Sequence, residues 1–338
     1  MDAYHSSHFL PDDSNSWLVN GPDQDLPFIL ADNGYDVWLS NTRGTTFSRR
    51  HVSLNPSSRF EDSVIKKNEF DAMKFWDWTW DELVAHDLPA LFDYVSQETG
   101  QKINYIGHSQ GTLIALTSFS EGKLVNQLKS AVLLSPVAYL SHMTTQLGVA
   151  AATFFLDEAI RLIGVAEFNL RLPRVKALVG SLCARNPRIK CYDLLTAVTG
   201  LNCCLNSTNI ELFLKNEPQS TSTKNLVHFA QTFRNGVLTK FDYVFPSANY
   251  RHYGQFFPPR YNLENIPHDI PLFLSYGGID ALSDVPDVRI LLDILKFHDP
   301  DKLTVQFIKE YAHIDFIMAI NAKDIVFKDV LSFFKRYA

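Results

Sequence analysis

The chain has 338 residues, of which 46% are hydrophobic, and a formal net charge of −6 at pH 7. That length and apolar content allow a large buried core in one or two domains, while the negative charge argues against nucleic acid or an anionic membrane as a partner held by charge alone. No run of 18 apolar residues occurs, so no helix is expected to span a bilayer.

Helix and strand patterns begin to alternate in FILADNGYDVWLSN (28–41), and a polar stretch, RFEDSVIKKNEFDAMK (59–74), precedes FWDWTW. Residues 102–107, KINYIG, have the β-branched and aromatic members of a short buried strand. LIALTSFS, after Thr112, carries apolar positions at helical spacing. Between them lies Gly107-His108-Ser109-Gln110-Gly111. A Gly-x-Ser-x-Gly between strand and helix forces a turn so tight that the serine takes strained backbone angles and presents its hydroxyl at the top of a sheet. Ser109 is therefore the candidate nucleophile. His108, the residue before it, is expected to point the opposite way.

LKSAVLLSPVAYL (128–140) reads as another strand of the buried type. From about Ser141 to Pro267 the alternation lapses, an interval too long for a loop inside a compact domain, so it is expected to have structure of its own. The domains follow as a first core segment (1–140), an inserted unit (141–267) and a second core segment (268–338). GVAAATFFLDEAIRLIGVAEF (148–168) is the insertion's apolar helix candidate.

All four cysteines, Cys183, Cys191, Cys203 and Cys204, fall in the insertion, which hints at an oxidising compartment without amounting to a disulfide framework. The adjacent Cys203 and Cys204 are expected to stay unpaired with each other. Metal binding is disfavoured because no histidine stands at ligand spacing, and no cofactor is expected. Asn206-Ser207-Thr208 is the one glycosylation acceptor, relevant only to a secreted chain.

A serine hydroxyl needs a base to take its proton and an acid to orient that base. The hydrolase fold supplies them in the order serine, acid, histidine, each after a later strand. DIPLFLSYGGIDALSD has a strand over 271–276 that ends in Gly277-Gly278 and then Asp280; KLTVQFIKEYAHIDF has a strand over 303–308 and then His313. Asp284 and Asp287 compete with Asp280, but they open a helix, where acids ordinarily cap or face the dipole. Of the other histidines, His298 ends an amphipathic helix and His86 sits within a helical pattern.

GHSQGT, GGIDALSD, HIDF, the block at 28–51 and NEPQSTSTKNLVHFAQ (216–231) together resemble the acid lipase family of gastric, lysosomal and plant triacylglycerol lipases, from about Trp17 to Phe334 and with plant members most alike. The resemblance implies an α/β-hydrolase core with a mostly parallel sheet and an inserted, mainly helical cap. It also implies cleavage of carboxylic esters of lipids at a lipid–water interface, and a secreted or lysosome- or vacuole-like location. Ser109 would be the nucleophile, Asp280 the acid and His313 the base. The oxyanion donors would be the amides of Gln110 and of Leu10, the latter in a His8-Phe9-Leu10 stretch where phenylalanine replaces the family's glycine. The family's cap disulfide is best matched by Cys183 with Cys191. The helix at 148–168 would either cover the serine and turn toward lipid on opening or simply pack the cap on the core.

Two features depart from the family. The stretch 59–74 is not part of its pattern, and its first strands and signal peptide have no counterpart ahead of His8. The expectation is an incomplete or divergent chain, weakly active and poorly soluble. Two readings stand beside the lipase: an impaired member that binds lipid, and an esterase for short soluble acyl groups. Epoxide hydrolysis is disfavoured because it needs a carboxylate where the chain has Ser109.

Overall fold

The computed structural model describes residues 3–7, 13–57, 65–153, 165–172 and 194–337. Its strands are β1 (Ala3–Ser7), β2 (Asp36–Leu39), β3 (Ile103–His108), β4 (Leu128–Leu134), β5 (Glu167–Phe168), β6 (Thr221–Ser222), β7 (Leu272–Gly277) and β8 (Leu303–Ile308). Six of them form one sheet in the order β2-β1-β3-β4-β7-β8, and every pairing in it is parallel. Parallel strands need crossovers, and here helices supply them on both faces.

The strands β3, β4 and β7 are buried along nearly their whole length because both faces are covered. On one face Ile103, Tyr105, Ala131, Leu133, Leu272 and Leu274 pack with Leu88, Phe92 and Val95 of the helix Leu88–Thr99 and with Leu113, Leu116 and Phe119 of the helix Gln110–Ser120. On the other, Ile106, Val132, Leu134 and Phe273 pack with Leu26 and Leu30 of the helix Leu26–Asp32 and with Val330, Phe333 and Phe334 of the helix Lys328–Arg336. Odd and even positions of each strand thus serve different clusters, as the two-residue side-chain period requires.

Two elements differ from the sequence-based expectation. Residues 1–16 suggest no strand, yet β1 lies inside the sheet, paired with β2 and β3. Its AYHSS lacks the apolar run that marks its neighbours, so the pairing is a tertiary choice. The helix expected over 148–168 is not continuous: a helix spans Gln146–Thr153, but β5 is extended and pairs antiparallel with β6. Residues 154–164 of it lie outside the described residues, as do 59–64 of the polar stretch, whose remainder joins a helix over Ile65–Phe75.

Adjacent in the sheet, β4 and β7 are separated in sequence by residues 135–271. This interval is tied down by the FWDWTW segment. Thr79 and Glu82 form a capping box that starts the helical run, which places Trp80 fully buried and stacked on His228, ring centroids 4.0 Å apart. Asp81 then accepts from the Phe241 amide at 2.8 Å and the Tyr261 hydroxyl at 2.7 Å.

One carboxyl makes folding sensitive to pH. Asp25 is buried ahead of the helix Leu26–Asp32 and accepts from the amides of Gly21 (2.8 Å) and Asn20 (3.2 Å). Burial outweighs these bonds and pushes its pKa up to about 6. The folded chain therefore holds this proton more tightly than the unfolded one. The stability it contributes is present below about pH 4 and is lost as pH rises through about 6. Asp25→Asn should gain on the parent between those limits, by at most about 3 kcal/mol. Urea titrations of both proteins at pH 4.5 and 7.5 measure this, and an equal difference at the two values would refute it.

Candidate active site

Because the strands are parallel, the chain leaves β3, β7 and β8 at the same edge of the sheet, and Ser109, Asp280 and His313 all follow those exits. Ser109 stands between β3 and the helix Gln110–Ser120 with φ 57° and ψ −118°, a left-handed backbone rarely taken by a residue with a Cβ. The turn closes only because position 107 is glycine: a Cβ there would lie 2.8 Å from the backbone carbon of Gly111. Tyr105 braces the same turn, donating its hydroxyl to the Gly111 carbonyl at 2.8 Å. Thr112 donates to the Ser109 carbonyl at 2.6 Å and accepts from the Val137 amide at 2.7 Å.

His313 Nε2 lies 2.6 Å from Ser109 Oγ. Its Nδ1 lies 3.0 and 2.9 Å from the two carboxylate oxygens of Asp280. Nδ1–H donates to the carboxylate, which leaves the Nε2 lone pair facing the serine hydroxyl. Asp280 is held in turn by the amides of Leu282 (2.9 Å) and Ser283 (2.8 Å). Asp284 stands at the start of the helix Val285–Ile294 and accepts from the Thr144 hydroxyl at 3.4 Å, and Asp287 accepts from the His142 amide and imidazole, so neither meets His313. The strand ends approach so closely that a Cβ on Gly277 would collide with the Tyr311 carbonyl oxygen.

His108 does not merely turn away from the site. Its Nε2 donates to the His313 carbonyl at 2.8 Å, so it supports the loop that carries the base. Ser135, itself at φ 48°, donates to the same carbonyl at 3.3 Å. The Gln110 amide is among the first N–H groups of its helix, which have no partner within the helix. The Gln110 side chain accepts from Asn225 at 3.3 Å. Leu10, Cys183 and Cys191 lie outside the described residues.

The expectation for the adjacent cysteines is corrected: Cys203 and Cys204 are joined in a disulfide. Their backbone serves the site. Both amides, at 3.1 and 3.2 Å, and the Ala312 amide, at 2.8 Å, donate to the buried carboxylate of Asp315. Asn202 accepts from the Ile314 amide at 3.1 Å, and Thr199 accepts from that of His313 at 3.2 Å. The residues 199–204 thus clasp the loop 311–315. The two sulfurs and the Asp315 carboxylate cluster, but the sulfurs bond each other and the carboxylate serves three amides, so the group offers no ligand set for a metal. Asp315, Asn202 and the disulfide escaped the sequence reading; the one available signal was the acid in HIDF, two residues past the histidine. Asn206, the glycosylation acceptor, caps the helix Ser207–Asn216 through a bond from the Thr208 amide at 2.9 Å.

Ser109 and His313 are fully buried and Asp280 nearly so. Among the described residues no helix is long and apolar enough to cross a membrane.

Comparison with known proteins agrees with this fold. The family described as alpha/beta hydrolase fold matches residues 10–317. Triacylglycerol lipase 2 of Arabidopsis thaliana is 56% identical over 326 residues, covering 96% of this chain and 74% of its own length. Gastric triacylglycerol lipase of Homo sapiens is 32% identical over 330 residues, 96% of this chain and 77% of its own. Among solved structures, a soluble variant of monoglyceride lipase from Saccharomyces cerevisiae superposes with a TM-score of 0.57 at 13% identity, covering 100% of this chain and 87% of that one, a likeness of fold alone. The chain belongs to the alpha/beta hydrolase fold family and, within it, to the group that holds plant and gastric triacylglycerol lipases.

Proposed function

We propose that the protein is a lipase that hydrolyses the carboxylic ester bonds of acylglycerols or related lipid esters. The observation that carries this reading is the continuous chain Ser109–His313–Asp280 at the exits of three parallel strands, with separations of 2.6 and 2.9 Å. Ser109 Oγ attacks the ester carbonyl carbon while its proton passes to His313 Nε2. Asp280 stabilises the imidazolium and holds its orientation. The Gln110 amide, and by family resemblance that of Leu10, donates to the developing oxyanion. His313 returns the proton to the departing alcohol, and a water activated by the same nitrogen cleaves the acyl-serine, releasing the fatty acid.

Residues 141–267 act as a cap in this reading. Thr199, Asn202 and Asn225 lie against His313, Ile314 and Gln110, and the serine they help enclose is inaccessible. An ester reaches Ser109 after part of this cover moves. The family's short cap disulfide, between Cys183 and Cys191, and glycosylation at Asn206 belong to the same reading, as does a secreted or vacuolar location.

Labelling with a fluorophosphonate, then hydrolysis of p-nitrophenyl esters across acyl lengths, tests the function. Ser109 should be labelled, with activity extending to long acyl chains. Folded protein that takes no label would mark a lipid-binding member without catalysis, and activity on short chains alone would mark a soluble esterase. Ser109→Ala, His313→Ala and Asp280→Ala should each lower kcat by about four to six orders of magnitude, because such residues act as a unit. Asp284→Asn should retain most activity; an essential Asp284 beside a dispensable Asp280 would reverse the assignment of the acid.

A second expectation concerns the clasp. Asp315→Ala leaves three amides without their acceptor and frees the loop that carries His313. Misplacing a base by an ångström costs about 100-fold. Asp315→Ala should therefore lower kcat by roughly 10- to 100-fold with KM little changed. Asp315→Asn, which keeps an acceptor oxygen, should recover part of the loss. An unchanged kcat in a folded Asp315→Ala variant would remove Asp315 from the account.

A further inference from the structure

The interval between β4 and β7 carries an apolar surface that the triad does not use. Val244, Phe245, Tyr250, Phe256 and Phe257 are 66%, 70%, 55%, 59% and 77% exposed, five large apolar side chains within fourteen residues. Exposed apolar residues scattered singly are ordinary, whereas a contiguous group marks a contact surface. These belong to one compact unit. The helix Pro246–Tyr253 ends at Gly254 in the left-handed conformation, which turns the chain back on itself. Asn249, buried beneath, accepts from the Tyr243 amide at 2.9 Å and donates to the Phe256 carbonyl at 3.1 Å, tying the two flanks together. Tyr250 stacks on Phe256 with ring centroids 5.3 Å apart. Val244 is held at φ 69°, a conformation that costs a β-branched residue energy.

The charge here runs against that of the chain. From Tyr243 to Leu263 there are two arginines, Arg251 and Arg260, one histidine, His252, and no acidic residue, in a protein of net charge −6. Both arginines are exposed, and His252 stacks flat on Tyr243. The adjoining acid, Asp242, is engaged by the Asn249 amide group and the Val244 amide.

We infer that this unit is the surface by which the protein docks on lipid, with Phe245, Phe256 and Phe257 entering the apolar layer and Arg251 and Arg260 meeting anionic headgroups. Aromatic rings beside arginine match the boundary between hydrocarbon and water. A second copy of the chain fits less well, since a twofold contact would set the arginines of one patch against those of the other. The negative charge of the whole chain opposes long-range attraction to anionic lipid, so the aromatic rings carry most of the binding and the arginines refine it locally.

The inference rests on the lipase reading, and the experiment separates the two. The full chain and a Phe245→Ser, Phe256→Ser, Phe257→Ser triple variant are floated with phosphatidylcholine vesicles, with and without phosphatidylglycerol. Both are then assayed on dissolved p-nitrophenyl butyrate and on emulsified tributyrin. The triple variant should bind vesicles at least roughly tenfold more weakly and lose a comparable share of its emulsion rate, while the dissolved ester is cleaved as before. Arg251→Gln with Arg260→Gln, which leaves the aromatic rings in place, should weaken binding to the phosphatidylglycerol vesicles only. Vesicle binding unchanged in the triple variant overturns the inference, as does a parent that floats with neither vesicle. A parent dimer that the triple variant dissociates, with vesicle binding intact, would make the face a self-contact and overturn it too. Absence of hydrolysis on both substrates would strike the lipase reading, while the flotation result still decides the docking surface.

Discussion

The position of one imidazole depends on four separate stretches of backbone. The ring of His313 spans Ser109 and Asp280, its carbonyl accepts from His108 and Ser135, and its amide donates to Thr199. Two residues on, Asp315 gathers the amides of Ala312, Cys203 and Cys204. The His313 ring, Ser109 and both carboxylates are buried, where an unmade hydrogen bond costs more than a made one gains. The loop therefore has little freedom to settle elsewhere, and the geometry of the triad follows from it.

The sheet makes that convergence possible. Its strands are parallel, with β3, β4 and β7 buried on both faces, so their carboxyl ends share one edge and the loops there are brought together. Close approach is secured by the absence of side chains at two places. Gly107 lets the start of the helix Gln110–Ser120 fold back on β3, and Gly277 lets the chain after β8 pass against the end of β7. Both contacts are backbone against backbone, which no rotamer change could relieve.

The interval between β4 and β7 bears on the site from outside the sheet. Burial lowers the pKa of His228, so a neutral imidazole stacks on Trp80 and bonds the Thr239 carbonyl at 2.9 Å. From the same helix, Thr223–Asn235, Asn225 reaches Gln110 beside the serine. The aromatic unit at 244–257 extends from that helix through Gln231, which donates to the Asp242 carbonyl at 2.7 Å and accepts from its amide at 2.9 Å. A covering of the site, an anchor on the core and an exposed apolar face are thus parts of one connected segment.

What was legible in the sequence were features set by local rules. β3, β4 and β7 show as apolar runs because strands covered on both faces tolerate few polar residues, β8 shows as a β-branched and aromatic run although Val305 and Phe307 are exposed, and the turn at Ser109 shows because it demands glycines at fixed offsets. Strand-end placement pointed to Asp280 and His313 because the order of parts along the chain is a property of the fold, and the folded chain brings both to Ser109. β1 was not legible, because AYHSS owes its place to the strands on either side of it. Nor was the end of the expected helix at 148–168, where β5 is claimed by pairing with β6. The bond between Cys203 and Cys204, and the service of their amides to Asp315 more than a hundred residues away, were decided by tertiary structure alone. Sequence records which groups can donate, accept or pack, but which buried groups meet is settled only when separate segments close on one another and each must find a partner.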